Sequence, residues 1–140
     1  MTLKHTALLA ALALGLATAG TAAAAPAPSH ASIVIRHQTH GCHAWSVNGG
    51  AFKASQSITL RRGASLTLTN TDVMPHTLLL TSGPKLQIAH AKLGHMGASL
   101  TLSFTRPGVY RFTTKPGEDY MAGVKTIGAD NVLRLTVVVS

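Results

Sequence analysis

The run Ile58-Thr59-Leu60-Arg61-Arg62-Gly63-Ala64-Ser65-Leu66-Thr67-Leu68-Thr69-Asn70-Thr71-Asp72-Val73-Met74-Pro75-His76-Thr77 decides the fold class. Leu66 and Leu68 alternate with Thr67 and Thr69, a period of two that sets one strand face on a core and the other in water. Ile58-Thr59-Leu60 begins the same pattern, and Gly63 interrupts it where a turn between strands needs a residue free to take a positive backbone angle. Asn70, Asp72 and Pro75 then mark an ordered loop. Asn and Asp side chains accept hydrogen bonds from nearby loop amides, so Asn70 and Asp72 are expected to be structural residues that hold the loop before His76 in place.

The same period extends outward in both directions. Ser32–Arg36, Ser57–Leu60, Ser65–Asn70, Thr77–Thr81, Ser99–Phe104, Val109–Thr113 and Val132–Val139 are short, rich in Thr, Val, Ile and Leu, and separated by Gly, Pro, Asn or Asp. This spacing predicts an all-β domain, a sandwich or Greek-key barrel. Between Lys85 and Gly94, Leu86, Ala89 and Leu93 recur at helical spacing, and either a short helix or an irregular crossover fits. Ahead of the strands, Lys4 and His5, the apolar run Ala7 to Ala17 and the small residues Ala22 to Ala27 read as a secretory signal peptide over residues 1–25. The apolar run is too short for a convincing membrane span, and none is expected after cleavage. A flexible lead over residues 26–31 and one domain over residues 32–140 follow, enough chain for a single modest core. The expected location is the periplasm or the exterior.

Charge is lopsided, with 12 Lys and Arg against 4 Asp and Glu and a net charge of +8. The basic residues stand mostly singly between strands, without a dense run or interleaved aromatics, so they read as solvated faces and not as a nucleic-acid surface. Their summed field suits an acidic protein partner.

His37-Gln38-Thr39-His40-Gly41-Cys42-His43 holds the chain's one cysteine among three histidines. Thiolate and imidazole donors are what copper or zinc requires. The opposing reading is a small buried hydrophobe beside exposed loop histidines. In an exported chain a single cysteine forms no internal disulfide, which favours ligation.

The stretch from Phe52 through Ile58–Gly63 and Leu66–Thr77 resembles the central pattern of the cupredoxins, the blue-copper fold, in which a strand ending in Asn-x-Asp leads to a loop that delivers a histidine to the metal. Phe104-Thr105-Arg106-Pro107-Gly108-Val109-Tyr110-Arg111-Phe112 is similar to the family's strand before its ligand loop, and Met121-Ala122-Gly123 to that loop's end. The resemblance covers nearly the whole chain after the leader and implies a cupredoxin-like Greek-key β-sandwich with His76 as first ligand. It also exposes a departure. The family's cysteine position falls on Thr114, and no histidine occurs among Lys115 to Tyr120. The ordinary trigonal two-histidine, one-thiolate site is therefore absent.

By this resemblance the connection over residues 37–44 lies at the ligand end of the sandwich, so Cys42 can supply the thiolate that Thr114 lacks. The implied site for one copper ion is Cys42 and His76, with His43 or His40 completing nitrogen ligation and Met121 as a weak axial thioether. Neighbours on a straight strand point oppositely, so Cys42 and His43 ligate together only across a bend, which Gly41 permits, whereas His40 and Cys42 share a face. His37 is expected at the surface, and Trp45 and Phe52 in core or rim packing, with the indole nitrogen needing a partner if buried. His90 and His95-Met96 form a lesser copper(I) candidate.

Gly63-Ala64-Ser65 and Gly97-Ala98-Ser99 lack the second glycine of a nucleophile elbow, and no phosphate loop occurs. An enzyme is not expected. Two classes remain: an exported copper-binding protein in copper handling or atypical electron transfer, paired with an acidic redox or copper-transfer protein, and a metal-free β-sandwich interaction module.

Overall fold

The structure, a computed structural model, describes residues 25–37, 43–88, 91–114 and 133–140. Among the described residues nine strands follow in chain order: β1 (His30–His37), β2 (His43–Val47), β3 (Ser55–Leu60), β4 (Ser65–Asn70), β5 (His76–Ser82), β6 (Lys92–Leu93), β7 (Ser99–Ser103), β8 (Gly108–Thr114) and β9 (Arg134–Val139). They form a four-stranded sheet of order β2-β1-β4-β7 and a five-stranded sheet of order β3-β9-β8-β5-β6. β1 with β4 and β3 with β9 run parallel, and the remaining pairs are antiparallel. The chain changes sheet repeatedly, so each sheet is closed by segments from across the sequence. The all-β sandwich expected from the strand periodicity is present.

The alternating residues meet between the sheets. Ile33 and Ile35 of β1, Leu66 and Leu68 of β4, and Leu100 and Leu102 of β7 face Leu78, Tyr110, Phe112, Leu135 and Val137 in one cluster of buried side chains. Their partners in alternation form ladders on the solvent side, where the Thr67 and Thr101 hydroxyls lie 3.2 Å apart. Gly63 has φ +81° between β3 and β4, as the turn requires.

Two strands lie beyond those read from the sequence. β2 carries Trp45 fully into the core, and its indole nitrogen has no hydrogen-bond partner among the described residues. Phe52 packs on the rim, with the Arg36 guanidinium carbon 3.7 Å from its ring centre. Between Lys85 and Gly94 the described residues are irregular at 85–88 and 91 and form the two-residue β6 at Lys92–Leu93. Among the described residues no helix is long and apolar enough to cross a membrane. The proposed leader, His40, Cys42, His90 and Met121 lie outside the described residues.

Candidate metal centre

Register brings the histidines together. His37 pairs with His43 across β1 and β2, two steps beyond the pair Ile35 and Trp45, so both fall on the inward face of their strands. On the other sheet His76 opens β5, two residues before the buried Leu78. His43 and His76 therefore meet between the sheets at one end of the sandwich, with ring centroids 4.8 Å apart and planes at 79°. The His37 and His43 rings stand 5.5 Å apart. His43 and His76 are buried at 2% and 1% exposure, whereas His37 is exposed.

The loop between β4 and β5 fills the space beside them. Buried Asn70 accepts the Asp72 N–H at 2.8 Å and donates to the carbonyls of Met74 at 2.7 Å and Leu93 at 3.1 Å. Asp72 Oδ1 accepts the Met74 N–H at 3.1 Å. Both residues thus perform the structural task expected of them. Asp72 does more: its Oδ2 lies 2.5 Å from His43 Nδ1 and 3.4 Å from His76 Nε2. Burial raises the Asp72 carboxyl, but the Met74 amide, the positive character of His43 and hydrogen bonds from His76 and His43 reverse this, holding it below its ordinary range.

The loop reading of Asp72 carried no hint of this contact with His43, because the pairing joins distant segments. His37, expected at the surface and not as a ligand, is exposed but belongs to the group: ligand atoms of His37, His43 and Asp72 lie within 4.8 Å of one another. A cleft of about 480 Å³ lined by Arg36, His37, Thr71, Asp72, Val73 and Met74 opens over this group to solvent. A larger cleft of about 760 Å³ runs along the outer edge of β7 between Thr101 and Lys85, away from the histidine end, and none of its lining residues is a His, Cys or acid.

Thr114 ends β8 at this same end, in register with Leu78 and buried. Its hydroxyl accepts the Leu133 N–H at 3.3 Å, so the threonine closes a backbone contact. His95 is exposed, its Nδ1 2.9 Å from the Met96 carbonyl, and it contacts no other donor of a second patch among the described residues.

No family model and no curated relative matches the sequence. Among solved structures the chain is similar to a purple cupredoxin from Nitrosopumilus maritimus, at 20% identity over 76% of this chain and 97% of that one, with a TM-score of 0.45. It is also similar to an oxidised amicyanin mutant, at 20% identity over 78% of this chain and 82% of that one, with a TM-score of 0.42. A third likeness is to an amicyanin mutant in its reduced Cu(I) form, at 18% identity, 78% and 82% coverage and a TM-score of 0.44. The fold of the described residues is an all-β sandwich of two sheets. Within this sandwich the imidazoles of His37 and His43 and the carboxylate of Asp72 form a donor set whose chemistry suits copper or zinc, and the His76 ring lies against that of His43.

Proposed function

We propose that the chain is an exported copper-binding protein of the cell envelope, holding one copper ion in a centre displaced from the family's usual loop and serving copper handling or electron transfer. The observation that supports this reading is the meeting of His43 and His76 from opposite sheets, buried and 4.8 Å apart, at the strand end that Cys42 immediately precedes in sequence. In this reading Cys42 supplies the thiolate in place of Thr114, His43 and His76 supply imidazoles, His40 is an alternative nitrogen donor and Met121 a weak axial thioether. Sulfur favours copper(I), and imidazole accepts either oxidation state. The net charge of +8 suits an acidic redox or copper-transfer partner, whose association weakens as salt screens charges over about 10 Å.

The test is metal analysis and an absorption spectrum on protein isolated from the envelope, followed by anaerobic copper(I) competition on wild type, Cys42→Ser and His76→Ala. Wild type is expected to bind one copper per chain, with both variants weakened at least tenfold. Cys42→Ser should also remove any intense visible colour, whereas Thr114→Ala should leave affinity unchanged. Equal affinity in wild type and both variants would move the site elsewhere, and no binding by any of them would leave the metal-free interaction module.

A further inference from the structure

The geometry points to Asp72 as an oxygen ligand that, together with His37, adapts the His43 and His76 centre to divalent copper. This rests on the copper-binding reading above and concerns which oxidation state the centre is built for.

Three features carry it. The Met74 N–H occupies Asp72 Oδ1, which fixes the carboxylate and leaves Oδ2 aimed at both His43 Nδ1 and His76 Nε2, at 2.5 and 3.4 Å. The Asp72 carboxylate is exposed by only 1%, so a cation bound beside it would meet its negative charge in a water-poor setting, where charges interact strongly. Finally, the third imidazole, His37, is exposed and lines, together with Asp72 and Val73, the cleft that opens to solvent.

Ligand atoms of His37, His43 and Asp72 lie within 4.8 Å of one another, against the separation of about 3 Å between neighbouring donors around an ion with bonds near 2 Å. Nitrogen and oxygen donors in such a set suit copper(II), whereas copper(I) gains little from a carboxylate. The competing role for Asp72 is orientation alone, a carboxylate that receives the His43 N–H and aims the ring at a metal it does not touch. The two roles differ in consequence. A ligand specific to copper(II) affects one oxidation state, while an orienting carboxylate affects both.

The experiment titrates copper(II) and, anaerobically, copper(I) into the full chain for wild type, Asp72→Asn and His37→Ala, with electron paramagnetic resonance of the copper(II) form. Asp72→Asn preserves an oxygen for the Met74 amide. It is expected to lower copper(II) affinity at least tenfold and leave copper(I) affinity within about threefold. A tenfold loss confined to copper(II) raises the midpoint potential of the bound couple by about 59 mV, a second readout. His37→Ala, at an exposed position, is expected to lower copper(II) affinity and alter the nitrogen hyperfine pattern, and it keeps the test open if Asp72→Asn folds poorly. Equal losses in both oxidation states would reduce Asp72 to a positioning residue, and unchanged copper(II) binding in both variants would overturn the proposal. Absence of copper binding by wild type would instead defeat the reading on which it rests.

Discussion

The two ends of the sandwich are built by the same strands but face different residues inward. Along β8 the inward positions run Tyr110, Phe112, Thr114, and along β4 they run Leu66, Leu68, Asn70. At the end away from the histidines, Phe104 stacks edge-on against Tyr110 at 4.9 Å and Phe112 at 6.4 Å, and the Tyr110 hydroxyl donates to the Arg106 carbonyl at 2.7 Å. At the other end the buried residues include the polar His43, His76, Asn70, Asp72 and Thr114 beside Leu93 and Leu133. Alternation decides which face of a strand is buried and leaves open what chemistry it buries. The apolar end supplies transfer free energy, and that margin lets the opposite end retain a desolvated carboxylate.

If the ends divide labour in this way, stability and copper binding separate under mutation. The largest effect is expected at the aromatic end: Phe112→Ala should cost about 3–5 kcal/mol by cavity formation while leaving copper affinity of the folded protein unchanged. His76→Ala should do the reverse, costing far less in urea denaturation but abolishing tight copper binding. A folded Phe112→Ala that has lost its copper would break the comparison. A smaller effect is expected at Gly83, φ +128°, where an added Cβ meets the Val109 carbonyl oxygen at 2.7 Å and Tyr110 Cα at 2.9 Å. Gly83→Ala should cost about 1–3 kcal/mol. Gly63, φ +81°, has open space around it, so Gly63→Ala should lose only about 1 kcal/mol of backbone strain. Equal melting temperatures for the two glycine variants would remove the close contact at Gly83 from the account.

The apolar end was legible in sequence because its signal is local. Ser65–Asn70 appears with the same limits in both readings, and the other long strands shift by only a few residues. β2 was missed because His43-Ala44-Trp45-Ser46 is buried on both faces, so no alternation of apolar and polar residues marks it. That omission hid the register pairing His37 with His43, and with it the place of His37 in the group. Asp72 was readable as a loop residue from its neighbours Asn70 and Met74, whereas its contact with His43 depends on two sheets closing over each other. His76 came from a family pattern and does lie at the buried end, while the positions of Cys42, His40 and Met121 stay expectations from sequence.

The smallest expected effect concerns pH in the metal-free protein and tests whether the polar end contributes to stability at all. Burial raises the Asp72 carboxyl, and the Met74 amide together with His43 and His76 more than reverses it, leaving it below the ordinary value of 3.8. A carboxyl depressed in the folded state binds its proton more readily when unfolded. Its contribution is therefore complete above the ordinary value and is lost as pH falls through the lower, folded value. Urea midpoints of wild type and Asp72→Asn compared at pH 6 and pH 3 should show the wild-type advantage narrowing at the lower pH. Phe112→Ala should keep the same deficit at both, because its loss involves no proton. An Asp72 advantage that is constant across the two pH values would mean that the carboxylate gains nothing from its imidazole partners, and the stabilising role of the polar end would then reduce to the Asn70 loop bonds.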